Sequence, residues 1–271
     1  MGKSKLWALA AVPASLALLC SPALSETAST PPTKAETPQE PSSPKSGGSI
    51  SMGYLSSPVY MGTDERRQQV GAIVNYQWAN GIYAGGNGFG WRISQQPDLQ
   101  YGVGLAFNPG RKQGDSVYLR GMGDIKDQVA LGAFVNASIT KGLSLSSTVQ
   151  LGSGNTRDGA VFNVGAAYTL PISAALDLNV SAGASFANAH YMATYFGVDV
   201  SQASTSGYAT YTPGGGLRNT AVGLGLNYKL APHWLLSANL SSTVLSNAAN
   251  DSPLVRKRNS HFALFGVVYT F

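Results

Sequence analysis

The chain has 271 residues, 44% of them hydrophobic and only 11% charged, with 32 glycines and a formal charge of +5. No apolar run in its body approaches the stretch of about 20 residues that a membrane-spanning helix requires. A single cysteine excludes a disulfide framework, and three histidines leave little material for histidine-based metal or proton chemistry.

The first 25 residues read as a secretory signal. Lys3 and Lys5 are basic, Leu6 to Leu19 is apolar, and Ala23-Leu24-Ser25 has the small-x-small form of a cleavage site. Removing this segment takes away two lysines and no acid, so the formal charge falls from +5 to +3. It also removes Cys20. Lipid attachment at Cys20 would need a small residue before it, where Leu19 stands. Residues 26–48 are rich in Pro, Thr, Ser, Lys and Glu and hold almost nothing large and apolar. Such a segment cannot bury enough surface to offset its ordering entropy, so a disordered periplasmic tail is expected.

From Ser49 onward the pattern changes to period two. Alternate residues of a strand face opposite sides, and apolar and polar residues alternate accordingly. Leu176, Leu178, Val180, Ala182, Ala184 and Phe186 interleave with Asp177, Asn179, Ser181, Gly183 and Ser185. Val222 to Leu230, Trp234 to Leu240, Leu143 to Leu151, Val129 to Ile139, Leu99 to Phe107, Phe162 to Leu170 and Val70 to Trp78 repeat it. Each window suits a tilted spanning strand of about 9–11 residues. Aromatics such as Tyr76, Trp78, Phe107, Tyr168, Tyr228 and Trp234 stand near strand ends, where barrels carry their girdles.

Short turns at Asn80-Gly81, Gln95–Asp98, Lys141-Gly142, Leu170–Ser173 and Leu230–His233 alternate with long connections at Met61–Arg67, Pro109–Lys126, Ser153–Asp158, His190–Gly215 and Ser246–Asn259. Outer-membrane barrels have short periplasmic turns and long external loops. The fold class is therefore all-β, a transmembrane antiparallel β-barrel over residues 49–271. Eleven windows are visible, and single-chain bacterial barrels usually have an even number of strands. Splitting Gly81–Ser94 at the bend Gly85-Gly86-Asn87-Gly88 gives twelve; ten results if the first hundred residues pair differently. The last strand carries Phe271, Tyr269, Val267 and Phe265 on one face with nothing after it. That face needs lipid as its partner, and the terminal aromatic pattern resembles the signal read by the barrel assembly machinery.

The chemistry is mostly absence. His190, His233 and His261 fall in no nucleophile, acid or metal-ligand pattern, so no enzyme, cofactor or metal is expected. Inward faces are Ser, Asn, Gln, Thr, Gly and Ala, with Arg92, Asp177 and Lys229 as the charged candidates. That lumen suits a small polar solute better than an ion-selective constriction. Arg66-Arg67, Arg111-Lys112 and Arg256-Lys257-Arg258 lie in long loops, where solvated residues or contacts with lipopolysaccharide phosphates are expected and nucleic acid is not. The loop from His190 to Gly215 carries Tyr191, Tyr195, Phe196, Tyr208 and Tyr211, too many aromatics for plain disorder. It either folds over the barrel mouth or forms a recognition surface.

Four segments in order carry a resemblance. Ser57-Pro58-Val59-Tyr60-Met61-Gly62-Thr63-Asp64-Glu65-Arg66-Arg67 is the first. Leu119-Arg120-Gly121-Met122-Gly123-Asp124-Ile125 is the second. Tyr195-Phe196-Gly197-Val198 with Ser206-Gly207-Tyr208, Tyr211 and Gly214-Gly215-Gly216-Leu217-Arg218 is the third, and Asp251-Ser252-Pro253-Leu254-Val255 the fourth. Together they resemble the MltA-interacting protein family, also called MipA/OmpV, from about Gly53 to Phe271. The resemblance implies an outer-membrane scaffold with no catalytic residues, joining a lytic murein transglycosylase to a murein synthase. A solute channel or binding barrel and a surface adhesin are the alternatives. A scaffold for wall enzymes must work from the periplasmic side, so the tail is expected to contribute contacts there.

Overall fold

The computed structural model describes residues 46–271 apart from Asn87; the signal segment and the tail up to residue 45 lie outside them. Twelve strands follow one another: β1 (Gly47–Pro58), β2 (Arg66–Gln77), β3 (Ile82–Gly85), β4 (Gly88–Gln95), β5 (Leu99–Asn108) and β6 (Gln128–Ser138), then β7 (Leu143–Leu151), β8 (Ala160–Pro171), β9 (Leu176–Ala187), β10 (Gly216–Ala231), β11 (Trp234–Leu245) and β12 (Asn259–Thr270). Each pairs antiparallel with its sequence neighbours, and β1 pairs with β12 to close the barrel. The glycine-rich stretch after Gly81 is indeed two short strands, which makes the number even and leaves both ends of the barrel chain at one rim.

The alternation becomes two surfaces. Ile50, Met52 and Tyr54 of β1 lie opposite Tyr269, Val267 and Phe265 of β12, all facing outward. Val70 is 72% exposed and Met52 63%. A continuous belt of such residues would aggregate in water; hydrocarbon is the medium that makes it stable. Many inward residues are small and polar, although Leu55 and Leu264 face each other across the same seam. Asn163 Nδ2 donates to Thr148 Oγ1 at 3.0 Å, Ser185 Oγ to Asn163 Oδ1 at 2.7 Å, and Thr169 Oγ1 to Asn179 Oδ1 at 2.7 Å. Aromatic rings also enter the lumen, Tyr83 and Phe134 among them. Tyr83 lies across the paired Gly90 and Gly104, where an added Cβ would fall 2.4 and 2.6 Å from its hydroxyl oxygen. Only glycine leaves room for that ring, which then meets Phe134 edge-on at 6.2 Å.

The seam is completed by the last residue. Phe271 N donates to Gly48 O at 3.0 Å and Gly48 N to Phe271 O at 2.9 Å. Its ring lies 6.3 Å from those of Tyr76 and Tyr269, and Tyr269 meets Trp234 at 4.9 Å. The aromatic girdle is thus densest over the closure.

The wall has one low sector. β3 has four residues, and β2 pairs with it only through Tyr76 and Gln77. Trp78 N donates to Ile82 O, so the alternate residues Gln68, Val70 and Ala72 turn their backbone groups toward the same side. Above the β3–β4 hairpin no described strand pairs with them. The gap is spanned at its top by an ion pair, Arg67 Nη2 to Asp115 Oδ1 at 3.0 Å.

Candidate functional site: the capped external mouth

The most deeply buried large side chains lie at one end of the barrel. Phe196, Leu119, Met192, Leu245, Leu254 and Val198 are each at or below 2% exposure, and all but Leu245, the last residue of β11, come from the long external loops. The connection after β9 supplies two short helices, α1 (Ala189–Phe196) and α2 (Val200–Ser206). The side chain of Asn188 accepts the Tyr191 N–H at the start of α1, a standard N-cap. Met192 and Phe196 follow at i, i+4 and share one face, which packs on Val161, Ala187, Leu245 and Ala249. Asp199 and Gln202 form a capping box at α2, and Gly207 ends it with φ 78°. After β11 a single turn of helix, α3 (Asn247–Asn250), brings Leu254 against Met122 and Val198.

Hydrogen bonds tie these loops to one another. Tyr60 Oη donates to Leu254 O at 3.0 Å, Ser252 Oγ to Phe196 O at 2.6 Å, Tyr208 Oη to Tyr118 O at 3.2 Å, and Tyr211 Oη to Ala248 O at 2.8 Å. Arg111 Nη1 reaches Tyr195 O at 2.8 Å, and Arg218 Nη1 reaches Tyr191 Oη at 2.9 Å. The rings of Tyr191 and Tyr195 lie 4.7 Å apart, tilted by 32°. Burial pushes the Tyr60 phenol up to about 12 and raises those of Tyr195 and Tyr211. Burial also lowers the pKa of Arg111, partly offset by Tyr195 and Tyr60.

The five aromatics of the His190–Gly215 loop are thus gathered in the cap. Phe196 is 1% exposed, and the hydroxyls of Tyr191, Tyr208 and Tyr211 are each engaged with another segment. The basic pairs divide. Arg66 and Arg67 open β2 rather than lying in a loop, and Arg66 binds Ser56 Oγ at 2.7 Å through Nη2. Arg111, expected among solvated loop residues, is 6% exposed, because Tyr60, Tyr195 and the 109–127 loop close around it. The histidines stand on three different elements: His190 in α1, His233 beside Thr270 O at 3.0 Å, and His261 on the outer face of β12. Among the described residues no three His, Cys, Asp or Glu side chains are placed to hold a metal ion.

Two spaces adjoin the cap. One is a small lumen hollow of about 70 Å³, lined mostly by Ala, Gly and Val residues such as Val164, Ala182 and Ala184, with Ser146, Asn163 and Ser185 among them. The other is a cavity of about 340 Å³ among the loops, walled in part by Arg111, Asn155, His190 and Gln202.

A family model described as MltA-interacting protein MipA matches residues 50–271. The chain belongs to the MipA family. The four motifs that resembled this MipA family in sequence all build the cap: Tyr60, Leu119, Met122, Phe196, Val198 and Leu254 come from them. The MipA-family barrel is similar in fold to the KdgM porin, at 10% identity and a TM-score of 0.45 over 82% of this chain and 99% of that one. It is also similar to the NanC porin (10%, TM-score 0.44, 82% and 98%) and to an outer-membrane channel from Pseudomonas putida F1 (10%, TM-score 0.41, 86% and 100%). The curated proteins contain no match to the chain.

Proposed function

We propose that this protein is an outer-membrane scaffold that holds peptidoglycan-remodelling enzymes near the inner surface of the outer membrane. The observation that carries the reading is the cap: the external mouth is filled by a packed apolar core, with Leu119, Met192, Phe196, Leu245 and Leu254 essentially inaccessible. A barrel closed in this way is better suited to anchoring than to bulk diffusion. The family description supports the choice of partner, a lytic transglycosylase of the MltA type with a murein synthase beside it. The surface for such partners is the periplasmic rim, where the tight turns lie and where β1 begins at Gly47, and the segment before it is expected to contribute contacts there.

The test is recovery of wall enzymes from native envelopes on the full-length chain and on a chain lacking residues 26–45. Recovery of a lytic transglycosylase by the intact chain is expected, reduced by the deletion. Absence of any wall enzyme from the intact-chain eluate would sink the scaffold reading. A second reading, a barrel that holds or passes a small polar solute, is favoured by the hydrogen-bonding side chains inside the barrel, Thr148, Asn163, Thr169, Asn179 and Ser185. Sustained single-channel conductance without wall-enzyme recovery would favour it. An adhesin role for Tyr191, Tyr195, Phe196, Tyr208 and Tyr211 would need the loop to open first.

A further inference from the structure

The cap buries two arginines, Arg111 at 6% and Arg218 at 5% exposure. Neither has a carboxylate within ion-pair distance; the one ion pair among the described residues is Arg67–Asp115. Arg218 is well accommodated. Its Nε donates to Asn219 Oδ1 at 3.0 Å, its Nη1 to Tyr191 Oη at 2.9 Å, and its guanidinium lies 5.3 Å from the Tyr191 ring centroid. Arg111 is not. Its single side-chain hydrogen bond runs from Nη1 to Tyr195 O, and its Nε is buried with no acceptor. Buried charges are ordinarily paired, because an unpaired one forfeits solvation worth several kcal/mol.

Arg111 also forms part of the wall of the 340 Å³ cavity, whose size falls within the roughly 300–1,000 Å³ of small-molecule sites. Its rim residues Asn155, His190 and Asp199 are exposed, so the space opens outward while Arg111 stays buried. The side-chain Oδ1 of exposed Asn155 accepts from Lys126 N at 3.1 Å, and its amide N–H groups are open to a solute. Two acids share the lining, and both are committed to backbone amides: Asp199 Oδ1 to Gln202 N and Asp124 Oδ1 to Gln113 N, each at 2.8 Å. Their charge opposes any anionic group except where the Arg111 guanidinium offsets it, so a solute fits only with a single acid group placed at Arg111 and a neutral polar remainder.

We propose that this cavity binds a small polar solute bearing one compact oxyanion, a carboxylate or phosphate, which pairs with Arg111 while its neutral part meets Asn155, His190 and Thr212. Arginine's planar fork suits bidentate contact with either oxyanion. The site is independent of the scaffold reading, since it lies on the external side of the barrel.

The test is calorimetric titration of the full chain, folded in neutral detergent, with inorganic phosphate and with glucuronate, glucose serving as the uncharged control. Saturable heat is expected for at least one of the two anions and none for glucose. Arg111→Gln should weaken binding at least tenfold, and Arg157→Gln, at an exposed arginine, should leave it unchanged. Ala193→Leu fills the cavity from an exposed position on α1 and should abolish binding even if Arg111→Gln perturbs folding. Lack of saturable heat with both anions overturns the proposal, as does binding that survives Arg111→Gln. Loss in Arg111→Gln with Ala193→Leu unaffected overturns the assignment to this cavity. Repeating the titration with lipopolysaccharide in the micelles separates the sources: competition identifies a lipid phosphate as occupant, and unchanged binding a soluble acid.

Discussion

Phe196 sits in a water-facing cap yet is as enclosed as any core residue, at 1% exposure. Truncating such a side chain costs about 3–5 kcal/mol, and the loss should fall on the cap alone, because the wall is held by its own ladder. Phe196→Ala is expected to leave the heat-modifiable barrel intact on gels while making the 188–215 loop sensitive to protease. Tyr60 gives a pH signature. Its folded pKa is raised from 10.0 to about 12, so its contribution is complete below pH 10 and is lost as pH rises toward 12. Tyr195 and Tyr211 shift the same way. The cap should therefore loosen between about pH 10 and 12, read as a rise in protease cleavage of the loops or in conductance, with no change between neutrality and pH 9. Arg111 marks where residue-level reading stopped. In sequence it is one of two adjacent basic residues in a long loop. Its burial depends on Tyr60 and Tyr195, 51 and 84 positions away in the chain, and no local pattern encodes that meeting.

The strands were legible because one physical rule governs them: lipid on one side and a small polar lumen on the other impose period two on every window. Even the β3–β4 hairpin showed, through its glycine-rich bend. The cap helices were not legible. Each is eight residues or fewer, too short to be stable alone, and their apolar faces are defined by neighbouring loops. The closing element offers a direct test. Removing Phe271 takes away two backbone hydrogen bonds to Gly48 and a girdle ring beside Tyr76. The truncated chain is expected to give markedly less heat-modifiable barrel in outer membranes; wild-type yield would refute a role for the terminal aromatic in assembly. At the low sector, the amide groups of Gln68, Val70 and Ala72 have no strand partner. In lipid nanodiscs they should exchange with deuterium at loop-like rates while those of Gln69, Gly71 and Ile73, turned to β1, stay protected. Equal protection on both sides would mean that something covers the edge.

For the whole molecule, the cap and the wall divide the work. The wall places the chain in the outer membrane, and the MipA-family motifs fold the loops into a lid with its own core. With that lid shut the purified barrel is expected to show little sustained conductance, and Phe196→Ala to raise it. The uneven wall adds a mechanical consequence. β10 has sixteen residues and β3 four, so the hydrogen-bonded wall is tall on one flank and short on the other. A bilayer meets mismatch by thinning locally or by letting the protein lean. Either response falls on the external leaflet, above the β3–β4 hairpin. There the molecule has a preferred azimuth toward its lipids, and neighbouring barrels that sense the same depression would be drawn to that flank before any other.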